Sequence, residues 1–165
     1  LGEVRDSKMI PPSNRERLFG VIASEALAVS VAWAHPGAID EHNILKATLT
    51  AMSRASRRAA AKAGGRAFLV LVDGPRRIPD SALPQEEIVG GDALSLNIAA
   101  ASIVAKVVRD RWMARLDRRY PGYGFARHKG YGTKAHLDAL ERLGPCAAHR
   151  RSYAPVARSV LETTK

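Results

Sequence analysis

Two aspartates stand where a chain can use them for chemistry. Asp73 follows an apolar run, Phe68, Leu69, Val70, Leu71 and Val72, that reads as a buried strand, and Gly74 lets the backbone turn away at once. An acid at the carboxyl end of a buried strand in an α/β fold faces the crevice where ligands gather. Asp92 comes nineteen positions later, after Gly90 and Gly91, and opens a long helical pattern. Two readings of Asp92 stand side by side: it caps the amide donors of that helix, or it meets Asp73 across the top of the sheet. In the second case the two carboxylates cannot both ionise cheaply without a counter-charge. Mg2+ or Mn2+ supplies one, since these hard cations prefer carboxylate oxygen and water. Two such ions held a few ångströms apart can activate a water and stabilise the leaving oxygen of a phosphodiester.

The rest of the chain carries the opposite charge. Of 165 residues, 26 are Lys or Arg and 16 are Asp or Glu, giving a formal net charge of +10. Such a balance favours a polyanionic partner, because basic side chains gain by displacing counterions from phosphates. A basic rim around an acidic metal centre is the charge pattern expected of a nuclease. The stretch YGFARHKGYGT, residues 123–133, fits the rim: its glycines allow close approach to a strand, and Arg127, His128 and Lys129 put charge beside Tyr131. Arg109, Arg111, Arg115, Arg118 and Arg119 make one helix basic as well, which a solvated face explains equally. The single cysteine, Cys146, excludes an internal disulfide and a Cys-based zinc cluster and points to a reducing compartment. None of the five histidines forms a spaced metal pair. No run reaches membrane-spanning length and the N-terminus lacks a signal peptide's apolar core, so a cytoplasmic protein with no membrane partner is expected.

The elements that must position these residues alternate in type. Ser13 and Glu16 suggest a capping box at the start of a first helix. ALAVSVAWA, residues 26–34, alternates large and small apolar residues like a strand, and 39–62 is Ala-rich and helical. The 68–72 strand, a Pro-rich loop and a short strand near 87–89 follow. A long helix then begins at Asp92, broken near its start, with Leu94, Ile98, Ala101 and Ala105 on one face. Thr133 and Gly144 bound a compact helix, and the tail ends in one more. Asp40 and Glu41 read as first-turn charges favouring the dipole of the 39–62 helix, and Trp33 and Trp112 as core. His149, Arg150, Arg151 and Tyr153 either bind backbone phosphate or pin the C-terminal segment. Strands alternating with helices make this an α/β fold.

Seven blocks in order carry a resemblance: DSK at 6–8, NILKATLTAM at 43–52, LVDG at 71–74, GD at 91–92, AAASIVAKVVRD at 99–110, YGFARHKGYGT at 123–133 and HRRSYAPV at 149–156. Together they resemble bacterial ribonuclease HII over nearly the whole chain. The resemblance implies a ribonuclease H-like sheet flanked by helices, with residues 1–132 as catalytic domain and 133–165 as a C-terminal helical segment packing on it. It implies an endonuclease, expected as a monomer, that cleaves the RNA strand of RNA–DNA hybrids and incises 5′ to ribonucleotides embedded in duplex DNA. The cofactor would be Mn2+ or Mg2+, used in two-metal-ion catalysis. Asp73 and Asp92 match two of the family's metal-binding catalytic acids. Tyr131 matches the tyrosine that stacks on the sugar and helps sense the 2′-hydroxyl, the group that distinguishes RNA from DNA locally. Lys8 matches a lysine near the scissile phosphate.

One departure matters. The family's Asp-Glu-x-Gly-Arg-Gly motif, which carries its other two acids, does not occur in this sequence; Asp40-Glu41 is followed by His42. The expectation is a chain that begins inside the enzyme, lacks the first strands of the family fold and is a poor nuclease as written. Two rivals follow. One is a non-catalytic nucleic-acid-binding protein that keeps the Tyr131 loop. The other is a magnesium-dependent phosphohydrolase of a small nucleotide using Asp73 alone.

Overall fold

The structure is a computed structural model and describes residues 10–163. In chain order its elements are α1 (Pro12–Glu25), α2 (Pro36–His42), α3 (Ile44–Lys62), β1 (Val70–Asp73), β2 (Gln85–Ile88), α4 (Gly91–Leu94), α5 (Leu96–Arg119), α6 (Phe125–His128), α7 (Lys134–Leu143) and α8 (Ala154–Thr163). No helix among the described residues is long and apolar enough to cross a membrane.

Local chemistry explains the boundaries. α1 starts one residue before Ser13, with Pro11 at the cap and no side-chain capping bond, so the expected box is not made. Proline's fixed φ already suits the first helical position. The expected 39–62 helix is two helices. Asn43 adopts φ 69° between them, and its carboxamide oxygen accepts from the Lys46 amide at 3.0 Å to cap α3. The break expected near the start of the long helix falls at Ser95, extended at φ −126°, between α4 and α5. Thr133 caps α7 through the His136 amide, and Gly144 ends it at φ 68°.

The described residues up to Trp33, together with Thr48–Val107, form one compact unit. Its β1 and β2 pair in parallel, from Val70 opposite Gln85 to Asp73 opposite Ile88. The loop between them is held by Gln85, whose side chain accepts from the Ile78 amide and donates to the Ile78 carbonyl, both at 2.8 Å. Ile78 and Val72 are buried, as are Ile98, Ile103 and Val107 along α5. The strand expected at 26–34 does not form: residues 28–35 belong to no ladder, and Trp33 is 56% exposed. Alternating apolar residues make a strand only with a partner to pair against, and the sheet of the described residues consists of β1 and β2. The other apolar strand starts two residues late, at Val70, and leaves Phe68 81% exposed.

The second unit comprises Ala34–Ala47 and the described residues from Val108 onward. Tyr123, Phe125 and Ala139 form its core, with Met113, Leu116, Tyr120 and Cys146 packed against them. Trp112 is exposed and not a core residue. Asp40 lies in the last turn of α2, since that helix begins at Pro36, so it is not a first-turn charge. Its carboxylate instead accepts from the Arg151 amide at 2.8 Å, the Ser152 amide at 2.9 Å and the Ser152 hydroxyl. Those bonds, the Ser152 hydroxyl foremost, hold the Asp40 carboxyl below the ordinary carboxylate range.

Candidate functional site

The strand end is built by two glycines and an amide. β1 stops at Asp73, and Gly74 at φ 98° donates its N–H to the Ile88 carbonyl at 3.0 Å as the chain leaves the sheet. The Asp73 side chain is exposed, and its Oδ1 accepts from the Gly91 amide at 3.0 Å. That bond ties the start of α4 to the end of β1, with Asp92, half-buried, as the next residue. Gly90 turns the chain at φ 68°, a region that strains other residues. Gly91 serves close approach instead: a Cβ there would lie 2.4 Å from Cδ1 of Ile98 and 3.4 Å from Oδ1 of Asp73. Asp92 does not cap α4; Gly90 holds the cap position, and no side-chain bond is made there.

The donor chemistry of this pair suits a hard cation. Carboxylate oxygens on adjacent backbone segments provide part of a coordination shell, and water or phosphate oxygen would complete it. Among the described residues no three His, Cys, Asp or Glu side chains converge into a metal-holding group. Two carboxylates could supply at most part of such a shell, not a full protein cage. Lys8 lies outside the described residues.

The glycine-rich loop belongs to the second unit. Gly124 at φ 79° precedes α6, and Lys129 and Gly130, both left-handed at φ 53° and 79°, close it. Tyr131 follows, 61% exposed. Its backbone is bound at both ends: the amide donates to the His128 carbonyl at 2.9 Å, and the carbonyl accepts from the Thr133 amide at 2.8 Å and pairs with His136 Nδ1 at 2.9 Å. Arg109 donates to the Lys129 carbonyl at 3.0 Å and sets its guanidinium 5.8 Å from the centre of the Tyr131 ring. Gly132 admits the Tyr153 hydroxyl, which would lie 2.9 Å from a Cβ at that position.

His128 is a different residue from the one the sequence suggests. Its ring is buried, with Nε2 on the Tyr123 carbonyl at 2.7 Å and Nδ1 accepting from the Gly130 amide at 3.2 Å. Both nitrogens are engaged within the loop, so the ring braces the turn and has neither nitrogen left for a phosphate. Arg127 is exposed and Lys129 half-buried.

Sequence reasoning assigned no role to His136, and to His149 only phosphate binding or pinning of the C-terminal segment. His136 stacks on His128 with ring centroids 4.1 Å apart, and its Nε2 lies 3.1 Å from Nε2 of His149. His149 Nδ1 accepts from the Cys146 amide at 3.1 Å. Burial foremost pushes both His136 and His149 below the ordinary histidine range. No metal-ligand spacing could have found them; the usable signal was that His136 stands three residues beyond the cap Thr133 and His149 heads the HRRSY block.

A family profile described as Ribonuclease HII matches residues 2–156. The chain is 53% identical over 155 residues to Ribonuclease HII of Acidovorax sp. (strain JS42), across 94% of this chain and 72% of that one. It is equally 53% identical over 156 residues to Ribonuclease HII of Halorhodospira halophila (strain DSM 244 / SL1), across 94% of this chain and 78% of that one. Among solved structures, ribonuclease H2 from Pyrococcus horikoshii OT3 matches with a TM-score of 0.71 at 20% identity, over 99% of this chain and 82% of that one. The fold is therefore that of ribonuclease H2, a mixed α/β fold rich in helix with a small parallel sheet. The chain belongs to the ribonuclease HII family, a family of nucleases.

Proposed function

We propose that this chain carries the cation-holding and ribonucleotide-sensing parts of an endonuclease that hydrolyses the RNA strand of RNA–DNA hybrids and incises 5′ to ribonucleotides in duplex DNA. The observation that supports the reading is the bond from the Gly91 amide to Asp73 Oδ1, since Asp92 is the residue that follows Gly91. Asp73 and Asp92 would hold Mn2+ or Mg2+; a bound pair of ions supplies charge neutralisation at the phosphate and lowers the barrier to water attack. The Gly91 amide engages one oxygen, Oδ1, of an Asp73 side chain that is exposed. Tyr131, exposed on a braced loop, offers its ring to the sugar of a ribonucleotide and its hydroxyl to the 2′-OH. Arg127, Lys129 and Lys8 neutralise backbone phosphates and set register without reading sequence. His128 acts inside the loop.

The test is incision of a DNA duplex carrying one ribonucleotide, with Mn2+, beside an Asp73→Asn control. Nicking by the wild-type chain, lost in the control, supports the reading. A second reading, nucleic-acid binding without chemistry, is favoured by the lack of a third converging acid among the described residues. Binding of the duplex with no nicking by either protein would establish it.

A further inference from the structure

His149 and His136 form a directed hydrogen-bond chain, with His128 stacked on His136, and its direction can be read from partners that have no choice. The Cys146 amide can only donate, so His149 Nδ1 is an acceptor and its proton sits on Nε2. The Tyr131 carbonyl can only accept, so His136 carries its proton on Nδ1 and offers a lone pair at Nε2. The two assignments meet without conflict: His149 Nε2–H donates to His136 Nε2 across 3.1 Å. His128, stacked at 4.1 Å on His136, is fixed independently with its proton on Nε2, between the Tyr123 carbonyl and the Gly130 amide. All three rings are buried, and the chain ends on the backbone of Tyr131, whose own ring is in solvent.

We propose that His136 is a positioning residue: oriented by His149 and the Cys146 amide, it donates to the Tyr131 carbonyl and so holds the Tyr131 ring at the angle that selects a ribonucleotide sugar. This rests on the reading that Tyr131 meets that sugar. The physical case is one of leverage. Tyr131 stands between Gly130 and Gly132, residues with little intrinsic preference for one conformation. The His136 bond and the Thr133 amide together occupy both lone pairs of the Tyr131 carbonyl, which fixes the peptide plane beyond the ring. Arg109 then bears on the ring itself.

Two substitutions of similar polarity separate positioning from mere structure. His136→Asn puts an amide N–H where Nδ1–H stands, while His136→Gln reaches toward His149 and leaves the Tyr131 carbonyl with one partner. Binding is read by fluorescence anisotropy on matched duplexes, one with a single ribonucleotide and one all-DNA, at fixed salt with EDTA. The expected result is a ribonucleotide preference kept in His136→Asn and reduced roughly three- to tenfold in His136→Gln, the equilibrium worth of one hydrogen bond. All-DNA binding stays constant in both. Equal preference in the two variants, whether kept or lost, overturns the proposal. A wild-type chain with no preference refutes the Tyr131 reading itself and the positioning role with it. Long-range 1H–15N correlation of the wild-type histidines gives a check without mutation: His136 protonated on Nε2 would also overturn it.

Discussion

The Gly91 amide donates to the Asp73 carboxylate at 3.0 Å, and this approach exists because residue 91 has no side chain. In Gly91→Ala the new Cβ would fall 2.4 Å from Cδ1 of Ile98. Ile98 is buried, so its side chain can yield only by disturbing the core, at a cost of about 1–3 kcal/mol. Urea denaturation should show that loss. Ile98→Val, which deletes the offending methyl, should recover part of it in the double variant, so the two changes should be non-additive. Additive losses would mean the clash is relieved elsewhere.

A cation held by Asp73 and Asp92 stabilises the folded chain by mass action, by about 1.4 kcal/mol at tenfold excess over its dissociation constant. Mn2+ should therefore raise the thermal midpoint of the wild-type chain, reversibly with EDTA. Asp73→Asn and Asp92→Asn should each abolish most of that rise while folding normally without metal. Asparagine at 73 still offers an oxygen to the Gly91 amide, so the comparison isolates charge. A Mn2+-induced rise undiminished in both variants would place the cation elsewhere.

Asp40 shows what sequence alone can and cannot disclose. Its pairing with Glu41 beside a helical pattern suggested a dipole role, yet its three hydrogen bonds run to residues 151 and 152, more than a hundred positions away. Local signals located most helices because capping and periodicity are local: Thr133, Gly144 and the break before α5 stand where the pattern put them. Apolar alternation at 26–34 misled because a strand is a property of a pair. The punctuation, an acid after an apolar run and an acid after two glycines, marked the turn where the Gly91 amide meets Asp73. The histidine chain carried no such mark, because His128, His136 and His149 meet only after three separate segments pack.

Asp40→Ala should loosen the 150–153 turn and cost about 1 kcal/mol, the worth of charge-assisted bonds discounted for their contact with solvent. The sign with pH follows from its lowered carboxyl. The folded state binds fewer protons than the unfolded one, so the contribution is complete above the ordinary carboxylate range and lost as pH falls through the depressed value. A wild-type minus Asp40→Ala stability difference that shrinks below pH 4 is expected; one that stays constant would assign the effect to packing.

His136 and His149 titrate in a higher window. Both are held below the histidine value of 6.5, by burial first, with the neighbouring rings opposing a further positive charge. The groups facing them are His128, stacked on His136; the Cys146 thiol, 3.2 Å from His149 Nδ1; and the rings of Tyr123 and Phe125. Protonating His136 would aim an N–H at the N–H of His149, and protonating His149 would aim one at the Cys146 amide, so each proton breaks a link. The unfolded chain therefore takes up protons near pH 6.5 that the folded chain refuses. Unfolding free energy should be flat above that pH and fall below it, by up to about 1.4 kcal/mol per pH unit for each proton excluded. His136→Asn removes one of the two groups and should make the slope between pH 6.5 and 5 shallower. Equal slopes in the two proteins would show that the pair is not what makes acid destabilise this unit.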